Sequence, residues 1–358
     1  MKKKKILYFV EAFGGGVFTY LVNLSNALCN DFDIYIAYGI RKQTPENYKD
    51  YFDKRIHLVR VYNYQRDISL IKDTNALIEM RKIAKKVNPD IIHLNSSKAG
   101  ILGRLLFKNW KIPVFYTPHG YSFLMANISS KKKIFYKSLE KFFAFKNIET
   151  IACSKGEYEI TKQLTSNATY VNNGINLKEF NDVNINSHKT DINHLKIATI
   201  GRISLQKNPK LFNKIAEVFP NLKFTWIGDG DLRSELTSSN IKITGWVDNR
   251  KAIKYLNDSD IFVLTSLWEG LPMALLEAMY IKKLCIVSDV VGNRDVIYDD
   301  NNGYVCNTKE QFIDRINNVT INDISENIVE EAHNDILNCY NSQVMAENYK
   351  KIYESKLK

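Results

Sequence analysis

The sequence is poor in the features that mark secreted and membrane-spanning chains. No run of about 18 uninterrupted apolar residues occurs in its 358 residues, so no membrane-spanning helix is expected. Cysteine is scarce: Cys29, Cys153, Cys285, Cys306 and Cys339 are odd in number, widely scattered and without a Cys-x-x-Cys pair. That pattern argues against a disulfide framework or a zinc site and fits a reduced, cytosolic compartment. A signal peptide is not expected either, because the apolar stretch after Lys2–Lys5 soon meets Glu11 and a glycine run; it reads as a first strand with a basic leader. Internal repeats are missing. The turn Gly14-Gly15-Gly16 lacks the third glycine of Gly-x-Gly-x-x-Gly, which weakens a dinucleotide-binding reading.

What is present is the composition of a soluble globular protein, 45% hydrophobic and 25% charged, in a length comfortable for two domains. The net charge of +11 is unevenly spread. Residues 1–175 hold 28 Lys and Arg against 14 Asp and Glu, a balance of +14, whereas residues 176–358 hold 22 against 25, a balance of −3. Nucleic acid and anionic membrane are the usual partners of such a basic half, with a merely solvated lysine-rich surface as the plain alternative.

Strand-like and helix-like segments alternate along the first half. Strands are expected at Ile6–Val10, Phe32–Tyr38, Ile56–Val61, Asp90–Leu94, Val114–Thr117, Ile151–Ser154 and Thr169–Val171, and helices at Val17–Cys29, Ile68–Val87 and Ala99–Phe107. This alternation predicts a parallel, doubly wound sheet. Asn181–His194 is polar and reads as a linker or long loop. A second series follows, with strands at Leu195–Ile200, Leu222–Ile227, Ile241–Thr244, Ile261–Leu264 and Leu284–Ser288 and a closing helix at Ser342–Leu357. Two facing Rossmann-like domains are expected, 1–177 and 178–340, with 341–358 as a terminal helix.

The chemistry-bearing segments lie at the predicted strand ends. Glu269-Gly270-Leu271-Pro272 and Glu277 place two carboxylates eight positions apart, one in a Gly-Pro loop and one inside the next helix. With Pro272 at the first helical position, the free N–H groups and the positive dipole end would suit a phosphate. The plain alternative is an ordinary strand-to-helix unit. Arg202 and Lys207, five positions apart at another strand-to-helix turn, suit a clamp on a diphosphate; basic residues in turns are also common. His119 follows the strand Val114–Thr117, at the end where open α/β sheets bind ligands, although such a histidine is often structural. Gly15 and Gly16 would let a backbone approach a ligand closely. Gly201, Gly228 and Trp246 complete the turns, with Trp246 equally suited to core packing.

Together these segments resemble the GT-B glycosyltransferases of family four, whose signature is Glu, seven residues, Glu. The resemblance spans most of the chain: Gly15-Gly16, His119-Gly120, Asn173-Gly174-Ile175-Asn176, Gly201-Arg202 with Lys207-Asn208, Gly228, Thr244-Gly245-Trp246 and Glu269 to Glu277. It implies a retaining transfer of a hexosyl or related group from a nucleoside-diphosphate sugar, with a UDP-sugar expected, to a hydroxyl acceptor. The family's surface-polysaccharide members imply a polyprenyl-linked glycan acceptor in capsule, O-antigen or exopolysaccharide synthesis. By resemblance, Arg202 and Lys207 neutralise the leaving diphosphate and make a metal unnecessary. Glu269 binds donor-sugar hydroxyls, Glu277 the ribose, and His119 the transferred sugar. Gly15, Gly16, Gly201, Gly228, Trp246, Gly270, Leu271 and Pro272 line the donor site, and the last helix crosses back onto the first domain. The sequence departs from the pattern at Asn176, at Lys282 and Leu284, and at Val291-Gly292-Asn293-Arg294-Asp295, where donor-sugar contacts lie.

Ser129–Lys146 interleaves basic and aromatic residues. Ile134, Phe135, Leu139, Phe142 and Phe143 can share a helical face, flanked by Lys131, Lys132, Lys133, Lys137 and Lys141. Such a helix suits an anionic membrane surface or a sheet face, and with the +14 half it predicts peripheral attachment to the inner face of the cell membrane. No cofactor or metal is expected. A GT-B epimerase or phosphorylase would share the phosphate clamp, and a basic nucleic-acid-binding protein is disfavoured because no such module occurs.

Overall fold

The computed structural model describes residues 3–65, 67–185, 195–322 and 324–357, so most of the expected linker, 186–194, lies outside the described residues. The chain divides into two compact units. One comprises Met1–Leu124, Ile128–Gly174 and Ser342–Lys358; the other comprises Met125–Asn127 and Ile175–Asn341.

In the first unit the strands are β1 (Lys4–Phe13), β2 (Phe32–Ile40), β3 (His57–Arg60), β4 (Ile91–Asn95), β5 (Val114–Thr117), β6 (Ile148–Ala152) and β7 (Ala168–Tyr170). They form one parallel sheet in the order β3-β2-β1-β4-β5-β6-β7. Its helices are α1 (Gly15–Leu28), α2 (Leu70–Val87), α3 (Ser97–Phe107), α4 (Ser130–Phe142) and α5 (Lys155–Thr161). Residues Ile6 to Val10 of β1 are all fully buried, as expected of a parallel strand covered on both faces. Helix boundaries follow local chemistry: Ser69 caps α2, and Asn88 ends it in the left-handed region just before Pro89.

In the second unit β8 (Lys196–Ile200), β9 (Lys223–Ile227), β10 (Ile241–Ile243), β11 (Ile261–Leu264), β12 (Leu284–Ser288) and β13 (Tyr304–Cys306) form a parallel sheet in the order β10-β9-β8-β11-β12-β13. The helices are α6 (Pro209–Val218), α7 (Asn249–Asn257), α8 (Met273–Tyr280), α9 (Lys309–Asn322) and α10 (Glu326–Cys339). Strand β13 escapes a pattern reading because it is three residues long and only half-buried at Tyr304 and Val305. Each unit is a doubly wound α/β fold of Rossmann type, and the pair is the GT-B architecture.

The last helix, α11 (Ser342–Lys356), belongs to the first unit. It sends Met345, Ala346, Tyr349 and Tyr353 into the core shared by β1, β2 and α1. The opposite face of that sheet is covered by α2 and α3, with Tyr136 of α4 packed against the same core.

Helix α4 is fixed by a buried ion pair. Arg104 of α3 donates to Glu140 Oε2 at 2.6 Å, and the Tyr116 hydroxyl donates to Glu140 Oε1 at 3.1 Å. The guanidinium also lies over the Tyr116 ring, 4.1 Å from its centroid. This anchor corrects the apolar face expected of α4. With Glu140 drawn inward, Leu139 and Phe143 are half-buried, whereas Ile134, Phe135 and Phe142 face solvent at 67%, 57% and 73% exposure.

Candidate functional site

Strand order reverses between β1 and β4 in the first sheet and between β8 and β11 in the second. At such switch points the connections leave in opposite directions and open a crevice beyond the carboxyl ends of the strands. The segments from Gly14 to Gly16 and from Gly201 to Lys207 follow β1 and β8, and Thr265–Glu269 follows β11.

At the second switch point the side chains converge. Lys207 Nζ donates to Glu269 Oε1 at 2.7 Å, and Ser266 Oγ donates to the same oxygen at 2.7 Å. Gln206 Nε2 donates to Glu269 Oε2 at 3.2 Å and to the Trp268 carbonyl at 3.0 Å. The two loops are stitched by the Leu267 N–H on the Gln206 carbonyl (2.8 Å) and the Thr265 hydroxyl on the Lys207 carbonyl (2.8 Å). Glu269 is 7% exposed, so a buried carboxylate is held by one cation and two neutral donors. Gly228 is required here: its φ is +136°, and a Cβ would lie 2.3 Å from the Gly201 carbonyl oxygen. Gly292 is similar, with φ +87° and a Cβ that would meet the Gly270 carbonyl oxygen at 2.3 Å.

Pro272 is not the first helical residue, as the spacing suggested. Its ψ of 118° is extended, and the Leu275 and Leu276 N–H groups both reach its carbonyl, so it caps α8 and Met273 is first. The N–H groups of Met273 and Ala274 thus have no helical acceptor, and no acidic residue sits in that turn. Glu277 lies on the buried side of α8, and no carboxyl partner is found among the described residues. Burial pushes its pKa up to about 8, with the Glu179 carboxylate adding to the rise. Trp246 is 61% exposed, which rules out the core-packing alternative. Arg202, Gly270 and Leu271 lie on the same loops.

No Asp-x-Asp motif is expected after a strand end, yet Asp229-Gly230-Asp231 after β9 has that spacing. Asp229 instead accepts from the Gly230 N–H at 2.8 Å and from Arg233 at 3.0 Å. Among the described residues no group of three or more His, Cys, Asp or Glu could hold a metal ion.

In the first unit Gly15 and Gly16 face open space at the start of α1, which carries no acidic residue in its first turn. His119 follows β5 in the left-handed region at φ 56°. Its Nε2 is 3.0 Å from Asn95 Oδ1, and its ring meets the Tyr20 ring edge-on at 4.4 Å between centroids. Burial pushes its pKa down to about 3, while the residue as a whole is half-buried. Below it, buried His93 joins Tyr353 (2.6 Å) and Thr117 (2.9 Å). Lys131, Lys132, Lys137 and Lys141 are exposed on α4 and Lys133 is half-buried.

Gln206, Ser266, Asn95 and Tyr20 were not singled out from the sequence. Gln206 and Ser266 stand within a few residues of Lys207 and Glu269, which is the signal that was available. Ser154-x-x-Glu157, a capping-box spacing, was equally legible.

The comparisons agree on one family. The description "Glycosyl transferases group 1" matches residues 181–335 and "Glycosyltransferase Family 4" matches residues 14–179. The chain is 33% identical, over 85% of both chains, to UDP-Gal:alpha-D-GlcNAc-diphosphoundecaprenol alpha-1,3-galactosyltransferase of Escherichia coli. It is 26% identical to N,N'-diacetylbacillosaminyl-diphospho-undecaprenol alpha-1,3-N-acetylgalactosaminyltransferase of Campylobacter jejuni, over 78% of this chain and 80% of that one. Among solved structures, sucrose-phosphate synthase of Thermosynechococcus elongatus superimposes with a TM-score of 0.83 at 14% identity, covering 99% of each chain.

Proposed function

The chain belongs to the group 1, family 4 glycosyltransferases, and on that premise we propose that it transfers a hexosyl group from a UDP-sugar to a polyprenyl-diphosphate-linked glycan, with retention of configuration. The product would feed capsule, O-antigen or exopolysaccharide synthesis. The observation that carries this reading is the Glu269–Lys207 pair with Ser266 and Gln206 at the β8/β11 switch point, beside the start of α8, where no side chain caps the free N–H groups. The donor's diphosphate draws Lys207 and Arg202, replaces Glu269 as the partner of Lys207, and lies against the α8 N–H groups. Glu269 is then free to accept from donor-sugar hydroxyls. Rate enhancement comes from stabilising charge on the leaving diphosphate and from positioning, with no metal required. Gly201, Gly228, Gly270, Leu271, Pro272 and Trp246 shape the donor site, Glu277 meets the ribose, Gly15 and Gly16 make room for the phosphates, and His119 meets the transferred sugar.

The acceptor reading is supported by the named acceptors of the Escherichia coli and Campylobacter jejuni relatives. An acceptor in the cytoplasmic leaflet calls for a membrane-seeking surface, and α4 offers exposed Ile134, Phe135 and Phe142 beside exposed lysines. No described helix is long and apolar enough to cross a membrane, so attachment would be peripheral.

A nucleotide-sugar screen with a polyprenyl-diphosphate glycan tests the reading. Release of UDP and appearance of an extended lipid-linked glycan, both dependent on acceptor, are expected. Donor turnover that ignores the acceptor would favour an epimerase or phosphorylase instead.

A further inference from the structure

The His119 turn is held at three points by residues of the first unit. Its backbone is pinned by Glu157, a fully buried carboxylate on α5 that accepts from the Gly120 N–H at 2.6 Å and the Cys153 N–H at 2.8 Å. The plane of its ring is set by Tyr20 of α1, whose hydroxyl donates to the Tyr349 hydroxyl of α11 at 2.7 Å. Its Nε2 faces Asn95, a fully buried residue ending β4. These contacts leave one ring nitrogen, Nδ1, without a hydrogen-bond partner among the described residues.

The orientation of the Asn95 amide decides which nitrogen carries the proton. Asn95 Nδ2 donates to the His93 carbonyl at 3.3 Å. A flipped amide would set oxygen against oxygen there, so Oδ1 must point at the ring. An amide oxygen only accepts, hence Nε2 must bear the hydrogen. Nδ1 then holds the lone pair, and it has no hydrogen-bond partner among the described residues.

We infer that Asn95 is a positioning residue that locks His119 as its Nε2–H tautomer, so that Nδ1 serves as the acceptor for a sugar hydroxyl. This rests on the transferase reading for the identity of the hydroxyl, but not for the tautomer itself. The burial that lowers the basicity of His119 keeps the ring neutral, so it accepts a hydrogen bond and brings no positive charge to the sugar. The titratable groups facing it do not supply a charge that would reverse this. Tyr20 is held protonated by burial, His93 of β4 is held neutral by burial, and both Glu157 oxygens are engaged by backbone N–H groups. Asn95 therefore acts through His119, without touching the substrate.

Long-range proton–nitrogen spectra of imidazole-labelled full-length protein test this directly. Wild type should show His119 with a protonated Nε2 and an unprotonated Nδ1. Asn95→Ala should give averaged tautomer shifts and lower kcat about tenfold or more, with little change in donor KM. Asn95→Asp, nearly isosteric, should keep the Nε2–H but stabilise the ring cation. Its activity should then fall on the acid side near the ordinary histidine range, where wild type shows no such limb. A protonated Nδ1 in wild type would overturn the inference. So would wild-type nitrogen shifts and an unchanged pH profile in both variants. If no transfer activity were found with any acceptor, the nitrogen shifts alone would still decide the tautomer.

Discussion

Two buried ion pairs of nearly the same length sit in the two units and do different work. Arg104–Glu140 in the first unit spans 2.6 Å with side chains 2% and 5% exposed; Lys207–Glu269 in the second spans 2.7 Å with 15% and 8%. The first is saturated. Glu140 also takes the Tyr116 hydroxyl, and Arg104 also binds the Gly100 carbonyl and the Tyr116 ring. The second joins two loops at a sheet switch point, and among the described residues its cation has a single carboxylate, the partner that the donor's diphosphate replaces in the proposed function. Burial alone therefore does not mark a functional charge; position beyond the strand ends and an exchangeable partner do.

Substitutions should separate the two pairs, and the largest effect belongs to the first. Glu140→Ala leaves a buried guanidinium unpaired and should cost about 3–5 kcal/mol in urea or thermal unfolding, whereas Arg104→Met with Glu140→Leu should be neutral or better. In the second pair the effect moves from stability to rate. Arg202→Ala, Lys207→Ala and Glu269→Ala should each stay folded and lose about 10²-fold or more in turnover. Near-normal rates in any two would mean the switch point is not the donor site. A smaller effect is expected at α4. Lys131, Lys132 and Lys133 changed to Glu should weaken co-sedimentation with anionic vesicles, each lysine contributing on the order of 1 kcal/mol at low salt. Equal binding of wild type to neutral vesicles would mean that the α4 lysines do not drive the attachment.

The smallest effect is a pH slope. The folded pKa of Glu277, about 8, lies above the ordinary carboxylate value, so between those two pH values the folded state holds a proton that the unfolded state has lost. Stability from this group is fully present at acid pH, falls as pH rises through that window, and levels off above it. Glu277→Gln should flatten the slope and raise Tm at pH 8 relative to wild type. An unchanged slope would place Glu277 in contact with water or a cation.

Much of this was legible in the chain because parallel strands are written as apolar β-branched runs and their carboxyl ends as Gly, Asn and charged residues. Ile261–Leu264 followed by Glu269-Gly270-Leu271-Pro272 announces strand, loop and helix without coordinates. Three things were not legible. The three-residue β13 carries too little periodicity to register. The exposed side of α4 is set by Arg104, thirty-six positions from Glu140, which no helical spacing encodes. The pairing of Lys207 with Glu269 depends on β8 lying beside β11, sixty-two positions away along the chain. Long-range pairing is a property of sheet order, and sheet order is fixed by the whole unit.

The central claim is that protein cations at the β8/β11 switch point, and not a metal, hold the donor's diphosphate. Calorimetric titration of UDP into wild type and Lys207→Ala, both in excess EDTA, tests it most directly. The account predicts that wild type binds UDP without metal and that Lys207→Ala weakens binding at least about tenfold, as loss of one charge-assisted contact would. Binding that requires added magnesium or manganese, or an unchanged affinity in Lys207→Ala, would contradict it.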